Sequence, residues 1–378
     1  MSITAPVLFG RLAKGDCREL AGDLEPELIQ WLVDTGLGPV TLSALGAAKS
    51  ILPEDMQQLL LAVDLSARFE SSGRTEALLE ILKAAGPDAG IGMLKGMLIA
   101  HEFYPQPHLR PMGDIDLLTA PDKTDQLSEL LRELGYINES REDAAYYATH
   151  HHLMPFHLPG TDIWVEVHRG LFPQRSGLAE NGPFDPTLVY QRTRPTDFYG
   201  LPILALTHEM QFFHTSVHWA EEFRQIGGML GLLDLCMLLD HVGDSLNWDW
   251  IFSQSGNSMH IAPAQIALTY LERAGLLKLP PDVNKSLKKS GGLCSTALNF
   301  QHTIVDRYVV LGKPPGNVVN KVNLFIGWNT ALHYGKSPLF LPRVLWNVAF
   351  PETESKRYKL GYQLKRFRNL RDKLKASS

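Results

Sequence analysis

A chain of 378 residues exceeds what one hydrophobic core usually fills, so two or three packed units are expected. Apolar residues at 44% and charged residues at 20% exclude a disordered or fibrous protein. The formal charge of -5 excludes no partner, because it hides an asymmetry: residues 356–375 carry nine Lys or Arg against Asp372, and the remainder is correspondingly acidic.

Taken in chain order, residues 1–84 read as a helical region. Apolar positions recur at helical spacing in "MQQLLLAVDLSARFE" and "RTEALLEILKAAG", with "LPED" and "ESSG" as the turn material between helices. The start of the chain lacks an apolar core of secretory length. From residue 85 to 200 the texture becomes α+β. "AGIGMLKG" is a strand candidate, "MLIAHEFY" a short helix, "DIDLLTA" a second strand and "PDKTDQLSELLRELGY" a second helix, with Asp122 or Thr124 as its cap. "TDIWVEVHRG" then alternates, with Ile163, Val165 and Val167 on one side and Trp164, Glu166 and His168 on the other. Residues 201–378 read as a second helical region ending in the basic tail. Its most apolar run, "IGGMLGLLDLCMLLDHVG", is too short for a membrane span and is interrupted by Asp234, so it reads as a buried helix. The expected fold is therefore α+β, a small mixed sheet flanked by two helical regions.

Three widely spaced cysteines, Cys17, Cys236 and Cys294, with no CxxC pair, argue for reduced thiols in a cytoplasmic protein and against a disulfide framework. The basic tail reads first as a solvated helix end, although such runs also meet membrane surfaces, nucleic acids or acidic partners.

The stretch "LRPMGDIDLL" carries the chemistry. In a strand, Asp114 and Asp116 project to one face about 6–7 Å apart, where two carboxylates repel and call for positive charge. Arg110 is one source; a hard divalent cation is a better one, because Mg²⁺ prefers a few carboxylates with water and phosphate oxygens. If the Glu166 strand is a neighbour, three acids converge, an arrangement suited to metal-assisted phosphoryl transfer.

With "MLKG" about 15 residues before "RPMGDIDLL" and "WVEVH" after it, the chain resembles the nucleotidyltransferase superfamily related to DNA polymerase β. More narrowly it resembles an uncharacterised bacterial nucleotidyltransferase family with LKG…GDIDLL…VEVH motifs, well over residues 85–170 and more loosely over 205–250. The resemblance implies Asp114 and Asp116 as ligands of Mg²⁺ or Mn²⁺ and Glu166 as the third acid. It also implies phosphate contacts from Lys95 and from the helix opened by Gly96, and a close backbone approach at Gly113. The superfamily's first turn is usually Gly-Gly or Gly-Ser; here it is Gly96-Met97, so the hydroxyl contact is missing and Lys95 or Arg110 is expected to replace it.

Other candidates keep two readings each. His150, His151, His152 and His157 precede the Glu166 strand and His168 ends it. They are structural histidines, phosphate contacts with His152 and His168 foremost, or a zinc cluster without the spacing of a known motif. His214 and His218 share a helix face, which either lines an acceptor cleft with Arg224 nearby or packs against another helix. Asp234 is either paired with a core arginine or turned to the cleft. Trp219, Trp248, Trp250 and Trp346 read as packing residues, and "GKPPGN" as a turn.

The functional expectation is transfer of a nucleotidyl group from an NTP such as ATP to an unidentified acceptor, with release of pyrophosphate. A small molecule, sugar or modified peptide is favoured over nucleic acid; the NTP, the acceptor and the oligomeric state have no readable code. The runner-up is a non-catalytic nucleotide-binding or scaffold protein that keeps the fold, and a third reading is a histidine-assisted metal hydrolase.

Overall fold

Seven strands form one mixed sheet in the order β3-β4-β5-β2-β1-β7-β6. They are β1 (Gly92–Met93), β2 (Ile115–Leu118), β3 (Ile137–Asn138), β4 (Phe156–His157), β5 (Trp164–His168), β6 (Thr193–Phe198) and β7 (Leu201–Leu206). The computed structural model describes residues 3–342, apart from 141–143, 149, 174–177, 180–181, 222–227, 254–257, 291, 314–320, 338 and 340–341. The basic tail and Trp346 lie outside the described residues, as do Arg224 and most of "GKPPGN".

The order of elements follows the alternation expected from sequence. β1 leads into the helix Lys95–Phe103, and β2 is joined to β5 through the helix Thr124–Glu133 and a β3–β4 excursion. β2 and β5 are parallel, as a crossover of this length permits, while β1 runs antiparallel to β2 and parallel to β7. Residues 201–206, placed with the second helical region by the sequence reading, belong to the sheet as β7, because Ile203 and Ala205 bury one face against the core.

One cluster fills the space between sheet and helices. Met93, Ile115, Leu117, Val165 and Val167 meet Leu78, Ile81 and Leu82 of the helix Glu54–Ala85 and Leu127 and Leu131 of Thr124–Glu133. That 32-residue helix corrects an expectation, since it runs unbroken through "ESSG". Gly73 costs about 1 kcal/mol there, and packing of Ala67, Arg74, Ala77, Leu78 and Ile81 along one stripe outweighs it. The helix Thr124–Glu133 also begins without the expected side-chain cap; a single turn, Pro121–Lys123, leads into it instead.

The chain divides into two compact units, Met1–Gly292 with His302–Pro314, and Leu293–Gln301 with Pro315–Ser378. In the second, Gln301 donates to the Trp328 carbonyl at 3.0 Å and the Cys294 amide to Gly335 at 2.7 Å. Everything that follows concerns the first. No helix among the described residues is long and apolar enough to cross a membrane.

Candidate active site

In the β2/β5 pair Asp116 lies opposite Glu166 and Leu118 opposite His168. Because side chains alternate along a strand, burying Ile115, Leu117, Val165 and Val167 in the core turns Asp116, Glu166 and His168 to the other face. The sequence condition for convergence, adjacent strands, is met. Asp114 stands one residue before β2, and with Asp116 it lines a cavity of about 330 Å³.

The positive charge those acids need is supplied first by the chain itself. Lys95 Nζ lies 2.7 Å from Asp116 Oδ1 and 3.9 Å from Glu166 Oε2. His168 Nε2 donates to the same Asp116 oxygen at 2.7 Å and lies 3.4 Å from Glu166 Oε2. Lys95 holds this place with φ +43°, a left-handed conformation costing a β-carbon residue about 1–3 kcal/mol. Such strain at the residue that meets the acids marks the turn as built for the site rather than for the helix behind it.

The electrostatics follow from these contacts. Burial opposes ionisation of Asp116, but Lys95 and His168 outweigh it and hold the carboxyl well below its usual range. Burial likewise works against Glu166, and the His168 hydrogen bond overcomes it. Burial and Lys95 act against the charged form of His168, yet its bonds to Asp116 and Glu166 raise it above an ordinary histidine. Its Nδ1 faces the Gly170 carbonyl at 3.3 Å, an acceptor that fixes the ring and turns Nε2 to the acids. Among the described residues Asp114 has no such partner, and the Asp116 carboxylate beside it, together with burial, pushes it up to about 7. One negative charge is thus left over.

The cavity's opposite wall comes from the helices His208–Glu221 and Gly228–Val242, which present His214, Thr215, His218 and Trp219 on one and Leu230, Gly231 and Asp234 on the other. The shared face of His214 and His218 therefore lines the cavity. His214 is buried with both ring nitrogens unbonded, and burial followed by His218 pushes it well below an ordinary histidine. Asp234 satisfies both of its readings. It borders the cavity and binds Arg110, whose Nη2 lies 2.9 Å from Oδ2, while Tyr104 donates to Oδ1 at 2.8 Å.

Each predicted residue can now be placed. Lys95, Gly96, Arg110, Gly113, Asp114 and Asp116 border one cavity, and Glu166 and His168 adjoin it through Lys95 and Asp116. Arg110 lies over Gly96, where a Cβ would meet its Nη1 at 2.3 Å and would have to displace the guanidinium that Asp234 holds. Gly113 has no atom within 4 Å of an added Cβ, which leaves its backbone open to a ligand. Asp116, Glu166 and His168 each offer one ligand atom, all within 4.8 Å of one another, and His150, His151 and His152 form a second such group. Carboxylates of this kind, with the surplus charge on Asp114, fit a divalent cation.

Three contacts escaped sequence reasoning. The bond of Lys95 to Asp116 puts a lysine where Arg110 or a divalent cation was expected to supply the charge. The choice of Asp234 as partner for Arg110 spans 124 positions. Arg74, buried in the long helix, donates to the Gly113 carbonyl at 3.4 Å and lies 3.4 Å from Asp162 Oδ2, so it ties both acid-bearing strands to that helix. The signal for Arg74 was a charge on a largely apolar helical stripe, a feature that Asp64 shares.

Comparison with curated proteins finds no match, and comparison with solved structures finds none. A family model described as an uncharacterised nucleotidyltransferase matches residues 24–275, which span the sheet, the acids and both cavity walls. The chain belongs to that nucleotidyltransferase family, a family of transferases.

Proposed function

We propose that the chain is a cytoplasmic, metal-dependent nucleotidyltransferase that moves a nucleotidyl group from an NTP to an acceptor hydroxyl or amine. The carrying observation is the in-register pairing of Asp116 with Glu166 beside the cavity that Asp114 lines. Asp114, Asp116 and Glu166 are the residues that would hold Mg²⁺ or Mn²⁺. Bound there, the ion supplies a lowered pKa for the attacking group and charge neutralisation at the phosphates.

In the reaction the acceptor oxygen or nitrogen bonds to the α-phosphorus, the α-phosphorus to bridging-oxygen bond breaks, and pyrophosphate leaves with the electron pair. The acceptor's proton passes to a carboxylate or to water. The chain contributes position and charge. Lys95, released from Asp116, pairs with a phosphate; Gly96 and Gly113 let backbone approach it; Arg110, fixed by Asp234, borders the same pocket. His168 keeps Asp116 and Glu166 oriented. Residues 85–206, the sheet from β1 to β7 with its helices, form the catalytic core in this reading, with the wall from His208 onward completing the pocket. The acceptor is a small molecule, sugar or modified peptide, since the cavity of about 330 Å³ is compact.

The test is transfer from α-labelled NTP with Mg²⁺ or Mn²⁺ across an acceptor panel, comparing the native chain with Asp116→Asn. Labelled product from the native chain alone is expected; equal activity in both sinks the assignment. Metal-dependent NTP binding without turnover would favour a non-catalytic nucleotide-binding protein.

A further inference from the structure

Histidine crowds this acidic site more than phosphoryl transfer requires. The ammonium of Lys95 marks where the fold holds positive charge, 2.7 Å from Asp116 Oδ1 and 3.9 Å from Glu166 Oε2. The same two oxygens are met by imidazole nitrogens. His168 Nε2 lies 2.7 Å from that Asp116 oxygen and 3.4 Å from that Glu166 oxygen, and His152 Nε2 lies 3.6 Å from the latter. Donor atoms that share one ion at bonds of about 2.0–2.2 Å stand about 3–3.5 Å apart; the 3.4 and 3.6 Å contacts at Glu166 Oε2 are close to that spacing, and the 2.7 Å hydrogen bond to Asp116 would open to it.

The backbone orients both rings toward that point. His168 gives Nδ1 to the Gly170 carbonyl at 3.3 Å and His152 gives Nδ1 to the Leu153 carbonyl at 2.6 Å. A carbonyl on one ring nitrogen fixes the ring and leaves Nε2 as the ligand atom, the usual outer-shell arrangement of a metal-binding histidine. His152 and His168 are themselves joined by an antiparallel bridge, which sets their rings 5.3 Å apart. Both residues are buried, so neither serves as a solvated surface group.

We propose that this site takes a first-row transition ion, Mn²⁺ or Zn²⁺ in character rather than Mg²⁺, with His168 and His152 as ligands beside Asp116 and Glu166. Mg²⁺ demands oxygen donors and keeps its waters; Zn²⁺ takes imidazole readily, and Mn²⁺, although it also suits carboxylates, accepts a nitrogen ligand more readily than Mg²⁺ does. The inference rests on the proposed cation site and adds to it the identity of the ion and two nitrogen ligands. When the ion arrives His168 gives up to solvent the Nε2 proton it donates to Asp116, and Lys95 leaves Asp116, which frees its ammonium for phosphate.

Pulsed electron paramagnetic resonance of the full chain loaded with Mn²⁺ tests the proposal without any substrate. Nitrogen modulation from directly bound imidazole is expected, reduced in His152→Asn and again in His168→Asn, each variant binding Mn²⁺ at least about tenfold more weakly. In equilibrium dialysis about a hundredfold excess of Mg²⁺ should fail to displace Mn²⁺. Mn²⁺ bound without nitrogen modulation, or displaced by equimolar Mg²⁺, overturns the inference and leaves the all-carboxylate reading of the proposed function intact. Modulation that is unchanged in His168→Asn also overturns it, since the ion would then sit on the His150–His152 run. Binding of neither ion, with or without a non-hydrolysable NTP, overturns the inference and the proposed cation site together.

Discussion

Two buried ion pairs border the same cavity, and they differ in what they leave undone. Arg110 and Asp234 satisfy one another: the guanidinium reaches both carboxylate oxygens, Tyr104 adds a third donor, and no charge remains. Lys95 and Asp116 are as close, but their pair sits in a crowd of acids in which Asp114 stays uncompensated. The first is a fixed fork that fastens the helix Gly228–Val242 to the loop before β2. The second joins a point charge on a flexible stem to an acid that a better cation can claim. In the proposed reading completeness marks the structural pair, and surplus charge marks the working one.

Four experiments break or sharpen that contrast. Asp116→Asn should lower turnover by about a thousandfold, because it removes the charge on which the proposed cation and His168 both depend; product formation from labelled NTP measures it. Asp234→Ala should cost about 3–5 kcal/mol in urea unfolding, since it strands a buried guanidinium. Arg110→Met with Asp234→Leu should recover most of that loss, and a double variant as unstable as the single one would refute the structural role.

Asp114 predicts a pH effect of about 4 kcal/mol in the ion-free protein. Its folded value, about 7, lies above the ordinary 3.8, so its stabilisation is complete below that ordinary value and disappears as pH rises through about 7. The native chain should therefore lose stability between pH 4 and 7 relative to Asp114→Asn, read as diverging urea midpoints; parallel curves would mean that the surplus charge is neutralised elsewhere. The smallest effect is expected of Lys95→Met, which should tighten the bare divalent ion and weaken its complex with NTP, each by about tenfold, because the ammonium competes with the ion at Asp116 but assists phosphate. Calorimetric titration separates the two, and movement in the same direction would contradict the change of partner.

The acids were legible because their information is local. Alternation in "GDIDLL" and "WVEVH" places Asp114, Asp116 and Glu166 on strand faces whatever the rest of the chain does. The long helix was misread at "ESSG" because glycine and serine weaken a helix by amounts that packing readily overrides. β7 was misplaced because a six-residue apolar segment carries no periodicity that separates a strand from a buried helical turn.

By itself the sequence determined the kind of chemistry this protein can do: three carboxylates in strand patterns, a Lys-Gly turn before them, histidines beside them and apolar helices around them. Only the tertiary structure decided who neutralises whom. Asp116 could have met Arg110, a metal or nothing, and the fold paired it with Lys95 and His168 while sending Arg110 to Asp234. The physical reason is that a charge partner is chosen by distance after folding. Across 124 positions of chain, only the docking of the helix Gly228–Val242 brings Asp234 to Arg110 and leaves the acids beside β2 to a lysine that an incoming ion can displace.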